Sequence, residues 1–146
     1  MRITYKGDYA LKALLDLSLH YDQGLSTIHD IAKRIHAPVK FLEQVLLELK
    51  SAGFVGSRRG KVGGYLLAKP PGEITLGEVV RFIDGPVEPI GCVEKNYSGC
   101  TDLYICVFRP IWSEISKSIS ETVDGITFEK LAGKVKANKK TVAYQI

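Results

Sequence analysis

The sequence is poor in sulfur, in tryptophan and in unbroken apolar runs. Among 146 residues there are three cysteines, one methionine and one tryptophan. All three cysteines fall between Cys92 and Cys106. An odd and locally confined set of thiols argues against a disulfide framework spread over the fold. No segment reaches the roughly 18 apolar residues of a membrane span. The opening stretch MRITYKGDYALKALLDLSLHY is interrupted by Lys6, Asp8, Lys12 and Asp16, which also argues against a secretory signal. These absences predict a soluble, cytoplasmic chain without a membrane partner, its thiols kept reduced. Catalytic signatures are missing too. There is no phosphate-binding loop and no paired carboxylates, and His20, His29 and His36 all lie far from the cysteines in sequence. Without a nucleophile–base pair the chain is not expected to be an enzyme.

Twenty Lys and Arg stand against sixteen Asp and Glu, a net charge of +4. So mild an excess is decided by where it sits. The chain is 45% hydrophobic and 25% charged, ordinary values for one globular domain with one core.

Helical spacing of apolar residues runs from Asp8 to His20 and ends at Gly24. A second helix follows in STIHDIAKRIH, with Thr27 as cap and Asp30 three residues on. After the turn at His36–Pro38, a third helix carries Phe41, Leu42, Val45, Leu46 and Leu49 and stops at Gly53. Phe54–Arg58 and Tyr65–Lys69 then flank a glycine-rich basic turn, a hairpin signal. Thr75 and Glu78 open a fourth helix with a capping-box pattern. Beyond the cysteines, the spacing of Phe108, Ile111, Trp112, Ile115, Ile119 and Val123 predicts a long helix over Thr101–Val123. TFEKLAGK reads as one further helical turn, and Lys134–Lys140 as frayed.

Three helices and a hairpin, in this order, predict a mainly α fold with a small β-hairpin: a winged helix-turn-helix followed by a long C-terminal dimerisation helix. The third helix keeps Lys40, Glu43 and Gln44 outward near its start, as a recognition helix must. Gln can pair with adenine, Glu can accept from a cytosine amino group, and Lys can reach guanine or phosphate. On the turn, Arg58, Arg59 and Lys61 suit phosphate contacts and a minor groove. Lys33, Arg34 and Lys50 are candidates for backbone contacts at most. The apolar stripe of the long helix exceeds what a small monomer covers, which predicts a homodimer.

Cys92, Cys100 and Cys106 are separated by seven and five residues. Structural zinc sites bring cysteines in close pairs, and none is present. A loop of soft thiolates suits an iron–sulfur cluster. Three reduced thiols or a thiol switch remain open on spacing alone, and an iron–sulfur electron carrier is the alternative function, although such carriers generally use four cysteines.

The segments MRITYKGDYAL, FLEQVLLELKSAGFVGSRRGKVGGYLLAKPP and EITLGEVVRFIDG, together with the three-cysteine loop, resemble the bacterial Rrf-two family of winged-helix transcriptional regulators. The resemblance runs from Met1 to about Lys134, and it is nearest to iron–sulfur sensors of the IscR and NsrR type. It implies a homodimer on a double-stranded operator of approximate two-fold symmetry. Glu43 and Gln44 would fall on the base-reading helix and Arg59 on the minor-groove wing. It also implies a cluster, [2Fe–2S] favoured and [4Fe–4S] open, held by the three cysteines. A histidine serves as fourth ligand three residues after the last cysteine in the biogenesis regulators, but Arg109 stands there in this chain. The nitric-oxide sensors use an N-terminal aspartate instead, which the resemblance places at Asp8, beside the slender Gly7; Glu94 and Asp102 are the loop alternatives. The chain then divides into a DNA-binding domain (1–84), a cysteine loop (85–107), a dimerisation helix with a short terminal helix (108–133) and a flexible basic tail (134–146).

Overall fold

A computed structural model describes the backbone of residues 1–144 and the side chains of residues 1–140. Among the described residues, six α-helices and one hairpin occur in the order α1 (Tyr5–Leu19), α2 (Ile28–Ile35), α3 (Val39–Ser51), β1 (Val55–Arg58), β2 (Gly64–Leu67), α4 (Leu76–Asp84), α5 (Arg109–Asp124) and α6 (Phe128–Tyr144). The fold is mainly α with a two-stranded antiparallel hairpin, as expected.

The winged domain is built from local signals that agree with one another. Thr27 caps α2 by accepting from the Asp30 N–H at 3.1 Å. His36 ends α2 in the left-handed conformation, at φ 55°, and Pro38 in extended geometry caps α3. This is the tight turn between the two helices. Around it, Leu14, Ile31, Leu42, Val45, Leu46, Leu49, Val55, Ile74 and Val79 are fully buried. Each such side chain contributes about 1.5–3 kcal/mol of burial.

The hairpin pairs Val55 with Leu67, Gly56 with Leu66, Ser57 with Tyr65 and Arg58 with Gly64. Near its tip, at the Ser57–Tyr65 pair, it is fixed to the helices from both sides. Ser26, just before α2, exchanges two backbone hydrogen bonds with Tyr65, at 2.9 and 2.7 Å. At Gly64 a Cβ would lie 2.6 Å from the Ser26 carbonyl oxygen, so glycine is required for this approach. From the other side, Lys50 Nζ donates to Ser57 Oγ at 2.6 Å.

Thr75 and Glu78 form the reciprocal capping box that opens α4. The junction Ile74–Leu76 hydrogen-bonds to Ile126 and Phe128, at 2.8 and 3.0 Å, which ties α4 to the α5–α6 corner. Arg81 of α4 holds Asp124 of α5 through both terminal guanidinium nitrogens, at 2.5 and 3.1 Å.

Three elements differ from the expectation. First, α1 begins at Tyr5, capped by Thr4, whose hydroxyl accepts from the Gly7 N–H at 3.0 Å. Second, α5 begins at Arg109 and not at Thr101, with Pro110 in its first turn. In a helix started at Thr101, Pro110 would be interior and would collide with the Cys106 carbonyl. Third, α6 is a helix of 17 residues, so the expected single turn and frayed tail are corrected for Phe128–Tyr144. Phe128 and Ala132 are buried and Leu131 packs against the core, and α6 lies on α1 and on the Pro71–Glu73 turn. Lysine is a good helix former, so the docked first half propagates through the lysines. Residues 145–146 of the expected tail lie outside the described residues.

Candidate nucleic-acid interface and cysteine loop

Helix α3 buries Leu42, Val45, Leu46 and Leu49 and thereby turns Lys40, Glu43 and Gln44 into solvent. The wing turn exposes Arg58, Arg59 and Lys61. Between helix and wing lies a cleft of about 310 Å³ lined by Glu43, Leu47, Lys50, Ser57, Arg58, Arg59, Gly64 and Tyr65. The structure thus brings Glu43 together with Arg58 and Arg59. Lys40 and Gln44 share the helix face of Glu43 but do not line the cleft, and Lys61 stands further along the wing turn.

Two basic candidates are already engaged. Arg34 donates to both carboxylate oxygens of Asp16, at 2.8 Å each, and to Ser26 Oγ at 3.0 Å. Asp16 is only 6% exposed, so this pair joins α1, α2 and the strand-like Ser26. The Asp16 hydrogen bond holds the Arg34 pKa above its ordinary value against the opposing effect of burial. Lys50 supports the wing through Ser57. Arg34 and Lys50 are thus already held by Asp16, Ser26 and Ser57 within the chain, while Lys33 is exposed.

Leu47, which the sequence does not single out as a site residue, lies on the exposed row of α3. The run Leu46, Leu47, Glu48, Leu49 carries three leucines in four residues. A helix buries only one stripe of such a run, and that is the signal by which Leu47 could be found.

The cysteines sit differently. Cys92 is in a single 3-10 turn, Gly91–Val93, whose carbonyl at Cys92 accepts from Arg109 Nε at 3.2 Å. Cys100 and Cys106 lie in the irregular segment before α5. All three are half-buried free thiols. Among the described residues, no group of three or more His, Cys, Asp or Glu side chains is close enough to hold a metal ion. As donors, three uncommitted thiols on one loop fit a thiophilic iron site. Their spacing in this single chain does not yet form one.

Asp8 is half-buried on the first turns of α1 and accepts a hydrogen bond from Lys12 Nζ at 2.6 Å. That bond raises the Lys12 pKa above its ordinary value. Asp8 lines a hollow of about 680 Å³ with Arg2, Ile3, Thr4 and Tyr5, and no cysteine is among these lining residues. The room expected beside Gly7 is taken. A Cβ there would run into the Asp84 carboxylate, which accepts from the Thr4 N–H at 3.1 Å and the Thr4 hydroxyl at 2.5 Å.

The apolar stripe of α5 divides. Val123 turns inward and is buried, while Phe108, Ile111 and Ile115 are exposed, beside Tyr104, Ile105 and Val107.

A winged helix-turn-helix with a polar α3 face, a basic wing and a three-thiol loop is matched by the Rrf2 (Rrf-two) family profile over residues 3–134, described as "Iron-dependent Transcriptional regulator". The chain belongs to the Rrf2 family. It is 41% identical over 137 residues to an rrf2-like HTH-type transcriptional regulator of Rhodobacter capsulatus, covering 88% of this chain and 91% of that protein. It is 37% identical over 131 residues to the HTH-type transcriptional regulator IscR of Aliivibrio salmonicida, covering 90% and 77% respectively. The structure of CymR, the global cysteine regulator of B. subtilis, superposes with a TM-score of 0.77 at 30% identity, covering 92% of this chain and 98% of CymR. These Rrf2 relatives are transcriptional regulators, and the chain is a regulator of the same type. Among its described residues no helix is long and apolar enough to cross a membrane.

Proposed function

We propose that this chain is a homodimeric, sequence-specific DNA-binding regulator whose operator affinity responds to an iron–sulfur cluster held by Cys92, Cys100 and Cys106. The DNA reading rests on one observation: the outward face of α3 and the Arg58–Arg59 wing border a single open cleft. In the major groove, Gln44 would pair with adenine, Glu43 would accept from cytosine, and Lys40 would reach guanine or phosphate. The wing would follow the backbone into the neighbouring minor groove, with Arg58, Arg59 and Lys61 reaching phosphates.

The exposed apolar residues Tyr104, Ile105, Phe108, Ile111 and Ile115 supply a surface suited to a second copy of the chain. A dimer places two α3 helices on half-sites about one helical turn apart, which accounts for an operator of approximate two-fold symmetry.

For the cluster, [2Fe–2S] is the favoured form and [4Fe–4S] the other. Bound there, it would supply redox and ligand-exchange chemistry to a loop that otherwise holds only free thiols. Arg109 cannot serve as fourth ligand and is occupied with the Cys92 carbonyl. Asp8 is proposed in that role, with Glu94 and Asp102 as alternatives, and it would exchange its bond to Lys12 for the metal. A cytoplasmic location is proposed with it, where three free thiols stay reduced.

The experiment is operator selection from random duplexes, followed by a salt titration on selected and random DNA. A selected sequence bound at least about a hundredfold more tightly than random DNA supports the reading; equal affinity for both rejects it. The second reading, a cluster-free regulator with a thiol switch, is favoured only by the three free thiols themselves. It predicts oxidant-dependent binding by protein that holds no iron.

A further inference from the structure

The outward row of α3 reads Lys40, Glu43, Gln44, Leu47 and Lys50; Glu43 and Gln44 each stand three or four residues from both Lys40 and Leu47, and Lys50 three from Leu47, which places them on one face. Four are polar, and Leu47 is not. It is 68% exposed, although Leu46 and Leu49 beside it are fully buried. It takes no part in the core, and α5, which carries the apolar stripe, docks on α4 and on the Gly91–Val93 turn. Instead it lines the cleft with Glu43, Lys50, Arg58, Arg59 and Tyr65. An isobutyl group held in water in the middle of a polar, partly basic cleft gains its burial only when something enters the cleft.

We propose that Leu47 is a specificity-determining residue that reads thymine, packing its side chain on the 5-methyl group in the major groove. This rests on the assignment of α3 as the recognition helix. The edges that base pairs present in the major groove are hydrogen-bond donors and acceptors with one apolar feature, the thymine methyl. Lys40, Glu43 and Gln44 match the former, and Leu47 alone matches the latter. At about 1.5 Å of rise per residue, Leu47 lies about 10 Å along α3 from Lys40. Two side chains that far apart do not share one base pair, so Leu47 meets a different base pair from Lys40. The polar residues then fix register while Leu47 adds discrimination at a thymine that no hydrogen bond of theirs reports.

The test uses the full-length protein and its selected operator. Each thymine is replaced singly by uracil, which removes the methyl group and leaves base pairing intact. Affinities are measured for the unaltered protein, Leu47→Ala and Leu47→Ser. At one thymine per half-site, uracil is expected to weaken binding by the unaltered protein about three- to fivefold, the effect of returning one methyl group to water. The Leu47 variants should bind thymine and uracil operators equally at that position. If no thymine shows a methyl effect, or if the effect persists undiminished in Leu47→Ala, the proposal is overturned. Failure of the parent reading looks different: the unaltered protein would then not distinguish the selected operator from random DNA at all.

Discussion

Arg34 closes on Asp16 with two hydrogen bonds of 2.8 Å, and this pair fastens α2 to α1 beneath the turn that positions α3. Asp16 is nearly sequestered from water, whereas the Arg34 side chain keeps about a third of its exposure. Removing the arginine strands a buried carboxylate, a change that costs about 3–5 kcal/mol in fully buried pairs. Arg34→Ala is therefore expected to lose roughly 2–3 kcal/mol of stability by urea denaturation, below that range because water reaches Arg34. The slope of DNA affinity against salt should stay as it is under conditions where the variant is folded. A reduced slope would return Arg34 to the phosphate-binding set.

The wing arginines behave oppositely. Arg58 and Arg59 are exposed, so Arg58→Ala with Arg59→Ala should leave the thermal unfolding midpoint nearly unchanged. Operator binding should weaken, and the log–log salt slope should fall by about 0.9 for each phosphate no longer neutralised. Fluorescence anisotropy over a salt series reads both quantities.

Gln44 is expected to discriminate and not merely to attract. Gln44→Ala should cost about 1–3 kcal/mol at the selected operator and little on random DNA. An equal loss on both would reduce Gln44 to a positioning role.

The exposed stripe of α5 bears on assembly. Ile115→Asp places a charge among Ile111, Phe108 and their neighbours, and should yield monomers by light scattering. A monomer forfeits the linked second half-site, so operator affinity should fall by roughly two or more orders of magnitude. A dimer that survives the substitution would locate the interface elsewhere.

The parts of the fold legible in the sequence are those whose signals are local. The Thr75–Glu78 capping box, the Pro38 turn and the apolar stripes of α2 and α3 lie within a few residues of what they specify. What is not legible depends on distant partners. The start of α1 at Thr4 is secured by Asp84, eighty residues away. The same carboxylate explains Gly7, which reads in sequence as open space. The reach of α6 comes from docking on α1, which no periodicity in its lysine-rich half reveals. Composition likewise marks Arg34 and Lys50 as basic without showing that Asp16 and Ser57 already hold them. Leu47 is hidden by its own neighbours, since a run of leucines reads as core until the helix is oriented. The cysteines are recognisable by type and spacing, but their convergence depends on a loop with little regular structure.

Whether a cluster on that loop governs the regulator is tested most directly by anaerobic purification. Iron and acid-labile sulfide would be counted per chain, and operator affinity measured before and after chelation. Bound iron and sulfide with a visible charge-transfer spectrum are expected, both lost in Cys92→Ser, Cys100→Ser and Cys106→Ser. Operator affinity of the chelated protein should match that of the serine variants and differ from that of the loaded protein. Anaerobic protein free of iron and sulfide, with an operator affinity unchanged when all three cysteines are serine, would contradict cluster control.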